Sequence, residues 1–188
     1  MEKELDFRIQ RTYKLLTDAL LELLKEKEFD DITVCELCDK AMIRRATFYK
    51  HFGDKYELFA FVIRELQDSF KEKQTLVYDE KRPQTFYTAL LNCTLDFVDR
   101  NRSIVMSIFK CSGAGQLTDI LLEEIESDLC RHFRQDVANG AILPGKPELI
   151  ASMISGALIY TIKRWVLYEM DVKKEEMNAL CLSLMKVV

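Results

Sequence analysis

The 188-residue sequence is poor in the residues that interrupt helices, with 3 prolines and 6 glycines. Apolar residues make up 48% of the chain and charged residues 31%, which is the composition of a compact folded protein and not of a disordered one. Apolar and polar residues do not alternate over any long stretch, as they would in a strand with one buried face. These patterns predict an all-α fold with about nine helices.

The residues that build catalytic and metal sites are also scarce. The chain has two histidines, and it has neither a glycine-rich phosphate loop nor a Gly-x-Ser-x-Gly motif. Among the six cysteines, Cys35 and Cys38 are the pair at metal-ligand spacing, but no second pair completes four zinc ligands. We therefore expect no enzyme activity, no metal and no cofactor.

Long hydrophobic runs are absent as well. The densest apolar run, Leu149 to Ile162, is shorter than the roughly 20 residues that cross a bilayer. The N-terminal residues lack the apolar stretch that follows the basic start of a signal peptide. We therefore expect a cytoplasmic protein without membrane contact, whose cysteines are reduced.

Positive charge is concentrated in one segment, KAMIRRATFYKHFGDKYELF, although the whole chain carries a net charge of -4. Its cations around a Thr-Phe-Tyr triplet are Arg44, Arg45, Lys50 and Lys55. Asp54 is the only acid between Lys40 and Lys55. Such a segment is either a solvated helix face or a surface that binds a polyanion.

This segment and the residues just before it contain the start and stop signals of two short helices. Thr33 and Glu36 stand at the positions of a capping box, which predicts a helix from Val34 to Ala41. After three turn residues, a second helix is expected from Arg45 to Phe52, with Gly53 as its left-handed C-terminal cap. Two short helices joined by a tight turn are a helix-turn-helix.

Helical spacing of apolar residues predicts the remaining helices. One precedes the motif, from Arg8 to Lys27, and another follows it over residues 54–74, with Asp54 as its cap. The later ones are Gln84 to Asn101, Ile104 to Ser112, Leu117 to Asn139, Pro147 to Glu169 and Lys173 to Val187, the last capped by Asp171.

The stretch ITVCELCDKAMIRRATFYKHFGDKYELF resembles the DNA-binding segment of the TetR/AcrR transcriptional regulators. The shared pattern is a Thr-capped helix, a short turn, a recognition helix with Thr-Phe-Tyr that ends in His-Phe, and a lysine that opens the next helix. The resemblance implies a three-helix DNA-binding domain over residues 1–55, with helix 54–74 as the connection. It also implies a helical bundle over 56–188 for dimerisation and ligand binding.

The resemblance and the side-chain chemistry together suggest which residues contact DNA. Arg45 begins the recognition helix, where a guanidinium can bond O6 and N7 of guanine, although it could also be a solvated arginine. Arg44 suits a phosphate, or it is merely exposed. Thr33 and Lys55 match phosphate-contacting positions of the family, and Thr33 can be an N-cap at the same time.

The recognition helix carries four further candidates. The hydroxyls of Thr47 and Tyr49 can bond phosphate oxygens, as the resemblance implies, while Phe48 turns inward. The alternative is that Tyr49 is a core residue whose hydroxyl group remains exposed to solvent. Lys50 is expected to touch the DNA backbone or groove, and His51 either donates to a phosphate or caps its own helix.

The C-terminal half offers a predicted dimer interface, because a helix that is apolar almost all round is buried on both sides. The candidates are Ile154, Gly156, Ala157, Leu158, Trp165, Leu180 and Leu184. They would form a four-helix contact between two copies, since two-fold symmetry usually accompanies a helix-turn-helix. The alternative is a monomer with a thick core.

A ligand pocket would lie among the middle helices. Its candidate lining residues are Phe86, Phe97, Met106, Phe109 and Phe133, which could equally be ordinary core. Asp128 and His132 lie one turn apart and could hold a metal or ligand, but a solvated pair is the favoured interpretation.

The sequence therefore predicts a homodimeric regulator that binds a palindromic operator in double-stranded DNA. By resemblance it is a repressor, and a small-molecule effector could release it. The alternative is a helical interaction protein that keeps the fold but does not read DNA.

Overall fold

The computed structural model describes residues 7–73, 83–168 and 172–185, and within these ranges it contains nine α-helices and no strand. The helices are α1 (Phe7–Glu26), α2 (Val34–Ala41), α3 (Arg45–His51), α4 (Lys55–Lys73), α5 (Pro83–Arg100), α6 (Arg102–Lys110), α7 (Ala114–Ala138), α8 (Pro147–Leu167) and α9 (Lys174–Met185). A short 3₁₀ turn, Phe29–Asp31, joins α1 to α2. The all-α prediction is confirmed, and the helices begin and end within a turn of the predicted positions.

The predicted capping box at the start of α2 is confirmed. The Thr33 hydroxyl accepts a hydrogen bond from the Glu36 N–H at 3.2 Å, and the Glu36 carboxylate accepts one from the Thr33 N–H at 3.0 Å. Lys27 also donates to this carboxylate, and these donors hold the pKa of Glu36 at about 2. The first helical turn of α2 is therefore fixed by local contacts.

The other helix ends differ in part from the predictions. The residue after α2 is Met42, which has the left-handed conformation with φ 54°, a cost that a non-glycine residue bears only when its surroundings require it. Gly53 does not: among the described glycines, only Gly140 has positive φ, so the predicted left-handed cap of α3 is wrong. Instead, α3 ends in extended geometry at the buried Phe52.

Asp54 caps α4 as predicted, since its Oδ1 accepts two backbone N–H groups at 2.9 Å. The predicted cap Asp171 lies outside the described residues.

The helices pack around three hydrophobic clusters. The first cluster contains residues of the four helices α1, α2, α3 and α4, together with Ile104, Ile108 and Leu117 from α6 and α7. The second lies between α5, α6, α8 and α9 around Trp165, and the third lies between α7 and α8 around Phe133. The helix-turn-helix therefore shares its core with α6 and the start of α7. The domain boundary at residue 55 stays a prediction.

Polar contacts connect the same two regions. One Asp30 carboxylate oxygen accepts a hydrogen bond from the Gly113 N–H at 2.8 Å, which ties the turn after α1 to the junction of α6 and α7. The Ser107 hydroxyl donates to the Leu24 carbonyl at 2.8 Å, which ties α6 to α1. A displacement of α6 would therefore be transmitted to α1 and to the turn that precedes the helix-turn-helix.

Replacing Gly113 by alanine should weaken this connection. The added Cβ would lie 2.8 Å from Asp30 Oδ1, so the carboxylate must move and the bond to Gly113 is lost. We expect the free energy of unfolding to fall by about 1 kcal/mol in urea denaturation. Gly115→Ala is the matched control, because no atom lies within 4 Å of its added Cβ and alanine favours the helix. Equal effects of the two changes would contradict the proposed connection.

α8 combines an inner and an outer apolar face. Of the helices in the described ranges, it is the one with the length and hydropathy of a membrane span, with 39% of its most apolar window buried. Ile159, Ile162 and Val166 pack in the second cluster, as in the core helix of a globular protein. On the opposite side, Met153 and Tyr160 are exposed.

Candidate nucleic-acid interface

α3 has one buried and one exposed side. Phe48 is fully buried in the first cluster, which confirms that it turns inward. Tyr49 is 58% exposed, so the alternative that it is a core residue is wrong. Arg44, Arg45 and Lys50 are also exposed. We call the surface formed by Arg44, Arg45, Tyr49 and Lys50 the α3 face.

The cations of the α3 face are available to an external partner. Within the described part of the chain, Arg44 and Lys50 have no ion pair or hydrogen bond from their side chains, and Arg45 donates only to the Cys35 thiol. Neighbouring lysines are engaged internally: Lys27 binds Glu36, and Lys40 binds Glu22 and Glu26. The α3 face therefore presents three exposed cations, although the chain is acidic overall. Further exposed cations lie on α1, at Arg8, Arg11, Lys14 and Lys25.

Lys55 lies at the start of α4 but points into the protein. Its ammonium donates to the carbonyls of Phe29, Asp30 and Ile32 at 2.9, 3.0 and 2.9 Å, and it lies 4.8 Å from the centre of the Phe29 ring. Burial lowers the pKa of Lys55. An ammonium has three donors, and all three are used here. The structure therefore corrects the predicted phosphate contact to a structural role, in which Lys55 closes the turn after α1.

The remaining predicted residues lie around the same end of the molecule. Thr33 is exposed at the N-terminus of α2, and Thr47 is half-buried in the first turn of α3. His51 is half-buried, with Nδ1 3.4 Å from the Tyr13 hydroxyl and the two rings in edge-to-face contact. The partner of His51 is thus on α1, a pairing across 38 residues that sequence reasoning missed.

Cys35 contacts Arg45, a second pairing that sequence reasoning did not predict. Its sulfur accepts a hydrogen bond from the Arg45 guanidinium, and its thiol donates to Asp39 at 3.5 Å. No local signal links Cys35 to Arg45, because the contact depends on how α2 and α3 cross. The consequence is that α2 limits the directions in which Arg45 can extend.

The predicted dimer residues divide between the two sides of α8 and α9. Ala157 and Leu180 are exposed, and Gly156 has no atom within 4 Å of an added Cβ. Ile154 and Leu158 are half-buried against the third and second clusters. The side chain of Leu184 lies outside the described residues.

Trp165 is a correction to that predicted set. It is 1% exposed, its indole N–H donates to the Val172 carbonyl at 2.9 Å, and the Arg102 guanidinium lies 4.7 Å from its ring. Its surface is covered within its own subunit, so it cannot contact a second copy. An exposed stripe runs along α8 at a spacing of three or four residues, and the prediction named only Ala157 among its members. Its members are Leu149, Met153, Ala157 and Tyr160, and we call them the α8 stripe.

The four predicted pocket residues whose side chains are described have different surroundings. Met106 and Phe109 belong to the second cluster and Phe133 to the third. Phe97 contacts the Phe70 ring, with 5.9 Å between ring centroids, and the side chain of Phe86 lies outside the described residues. A groove of about 760 Å³ on the outer side of α7 has none of them in its lining, which is Glu123, Glu126, Ser127, Cys130, Arg131, Arg134 and Gln135.

Asp128 and His132 are not the solvated pair that the spacing suggested. Asp128 is 4% exposed and accepts hydrogen bonds from Lys71, at 2.8 Å, and from Arg131. His132 Nε2 lies 3.8 Å from the Asp128 carboxylate, and burial lowers the pKa of His132. The pair therefore lies between α4 and α7. Across the described ranges, no three His, Cys, Asp or Glu side chains are grouped to hold a metal ion.

Comparison with known proteins supports this architecture. The sequence model described as "Bacterial regulatory proteins, tetR family" matches residues 16–62, and "Transcriptional regulator C-terminal region" matches residues 85–187. The HTH-type transcriptional regulator YxbF of Bacillus subtilis is 42% identical over 64 residues, which are 34% of this chain and only 17% of YxbF.

Solved structures with low identity share the fold. A TetR-family regulator from Syntrophomonas wolfei superposes with a TM-score of 0.68 and 17% identity, over 94% of each chain. The dihydroxyacetone kinase operon activator DhaS gives a TM-score of 0.64 and 17% identity, over 94% of each chain. With both parts of the chain matched, over the helix-turn-helix and over the C-terminal bundle, the chain belongs to the TetR family of DNA-binding transcriptional regulators.

Proposed function

We propose that the α3 face reads a palindromic operator, with one copy of the chain on each half-site. The observation that carries this proposal is the difference between the cations. Arg44 and Lys50 are exposed and without a partner among the described residues, whereas the nearby Lys27, Lys40 and Lys55 are bound internally. Exposed, unpaired cations on one helix face suit a phosphate backbone.

The side chains of the α3 face are proposed to contact different parts of the DNA, either the bases or the phosphates. Arg45 enters the major groove and bonds a guanine, because it lies in the first turn of α3, the part that faces base edges. Arg44, Lys50 and the Tyr49 hydroxyl bond phosphates on either side of the groove. Thr47 adds a hydroxyl in the first turn of α3 that can bond a phosphate. The Thr33 hydroxyl donates to the Glu36 carboxylate at 2.9 Å in the free protein, and it would exchange that partner for a phosphate on binding.

The second half-site needs a second copy of the chain. The α8 stripe and Leu180 give an exposed apolar surface that α8 and α9 can bury against the same helices of another copy. Such a dimer places two α3 helices in successive major grooves about 34 Å apart.

The regulation that we propose is release of the operator by a small-molecule effector in a cytoplasmic repressor. An effector that prefers a form with a different α3 spacing lowers operator affinity by its differential affinity for the two forms. The hydrogen bonds from Ser107 of α6 to Leu24 of α1, and from Gly113 to Asp30, provide a route from the bundle to the DNA-binding segment. DhaS is an operon activator, so the sign of regulation differs among proteins of this fold. A transcription assay with and without the purified protein determines the sign for this chain.

Lys50 and Lys55 provide an internal test of the DNA contacts. We expect Lys50→Met to weaken binding to any duplex and to reduce the slope of log K against log salt by about one, because one phosphate contact is lost. Lys55→Met should leave that slope unchanged and lower the free energy of unfolding, since its three carbonyl acceptors lose their donor.

The measurement is fluorescence anisotropy of a labelled duplex between about 50 and 200 mM salt, with urea denaturation of both variants in parallel. An unchanged slope for Lys50→Met, or a reduced slope for a folded Lys55→Met, would contradict the proposed division of roles.

A further inference from the structure

The inner face of α7 carries a second polar position beside Asp128. Asp136 lies two turns further along the helix, and it is 3% exposed. Its Oδ2 accepts a hydrogen bond from the Tyr87 hydroxyl of α5 at 2.6 Å. Its Oδ1 is buried as well, and no atom of the described residues forms a hydrogen bond with it.

A buried carboxylate oxygen without a hydrogen-bond donor is unusual, because burial removes its hydrogen bonds to water and no protein group replaces them. The neighbouring Asp128 shows the usual solution, since Lys71 and Arg131 both donate to it. Neither cation is bonded to Asp136. Of the two buried acids on this face of α7, Asp136 is therefore the one whose charge is not compensated by a bonded cation in the described chain.

The surroundings of Asp136 are aromatic and aliphatic. Tyr87, its hydrogen-bond partner, packs against Phe133, with 5.2 Å between the ring centroids. Both rings belong to the third cluster, with Leu129 and Ile150. A carboxylate beside two aromatic rings in an apolar setting is the combination that recognises an organic ammonium group, since the carboxylate supplies the counter-charge and the rings supply their negative faces.

We propose that Asp136, Tyr87 and Phe133 form the recognition point for an effector that carries an ammonium group on a small aromatic or apolar body. This inference rests on the proposed response to an effector. A neutral donor would form a hydrogen bond with Oδ1 but leave the negative charge of the carboxylate unbalanced. An ammonium group would form the hydrogen bond and also balance the charge. The ligand would enter between α5 and α7, the helices that Tyr87 and Asp136 join, and would change their separation.

The test uses 2-phenylethylammonium as the probe and 2-phenylethanol as its neutral counterpart, with the full chain in thermal denaturation. At about ten times its Kd, the ammonium should raise the Tm by about 3–6 °C, because it binds the folded state only. The alcohol should give a clearly smaller shift. In Asp136→Asn, which keeps an acceptor for the Tyr87 hydroxyl, the difference between the two probes should disappear.

Asp119→Asn is the matched control, because Asp119 is an exposed acid on the same helix, and this variant should respond like the wild type. Equal shifts from the two probes, a full ammonium response in Asp136→Asn, or no shift up to about 10 mM probe would each overturn the proposal. Anisotropy with labelled DNA in the absence of probe separates the two levels: retained DNA binding with a failed probe response refutes only the ammonium site.

Discussion

Replacing Ala157 by glutamate is expected to convert the proposed dimer into a folded monomer and to reduce affinity for a two-fold DNA site by at least about 100-fold. Ala157 is exposed in the middle of the α8 stripe, so the single subunit tolerates a charge there. In the dimer, two symmetry-related carboxylates would be buried without partners, which is strongly unfavourable. Each monomer would then bind one half-site alone and lose the gain of simultaneous binding.

The measurement is sedimentation velocity for the subunit state and anisotropy for DNA affinity. Ala138→Glu is the matched control, because Ala138 is an exposed alanine in the last turn of α7 and lies outside the α8 stripe. We expect this control to stay dimeric and to bind DNA like the wild type. A dimeric Ala157→Glu protein with wild-type affinity would place the interface elsewhere.

Replacing Arg45 by alanine is expected to reduce operator affinity by about 5- to 150-fold and to relax the sequence requirement at one base position of each half-site. The reason is that a bidentate contact to guanine contributes about 1–3 kcal/mol of discrimination. Because Arg45 is exposed and bonded only to the Cys35 thiol, its removal should leave the stability of the fold nearly unchanged.

Lys173→Ala removes an exposed cation immediately before α9 and serves as the control for net charge. It should leave both affinity and base preference as they are. If Arg45→Ala weakened all sequences equally, Arg45 would be a phosphate contact and the base reader would have to be sought among the other residues of the α3 face.

The parts of the fold that depend on neighbours in sequence could be predicted. Thr33 and Glu36 form the capping box because both partners lie within one turn, and Asp54 caps α4 for the same reason. Phe48 is buried as the pattern of α3 indicated. Local chemistry therefore determined the helix-turn-helix, which is where the family resemblance is also most specific.

The errors occur where a distant element decides. Lys55 opens α4 like a phosphate contact, but the turn after α1 offers it three carbonyls. Trp165 lies on an apolar helix, and only the packing of α6 and of the segment before α9 shows that it is covered. Spacing along α7 could not show that α4 supplies Lys71 to Asp128.

Gly53 is a different kind of error, because residue preference was overruled by packing. Glycine adopts the left-handed cap most easily, yet Met42 has that conformation, with its side chain 87% exposed. The chain leaves α3 in extended geometry, with Phe52 buried in the core. Burial of an aromatic side chain contributes more than a preferred cap.

The most direct test of the central claim, that the α3 face reads a DNA sequence, is selection of bound genomic fragments by the purified chain at near-physiological salt. We expect enrichment of a two-fold-symmetric sequence. Arg45→Ala should relax the requirement at one base position, and Tyr49→Ala should bind the same sequence uniformly more weakly. Failure to enrich any sequence, with cell extract present as a source of effector, would contradict it.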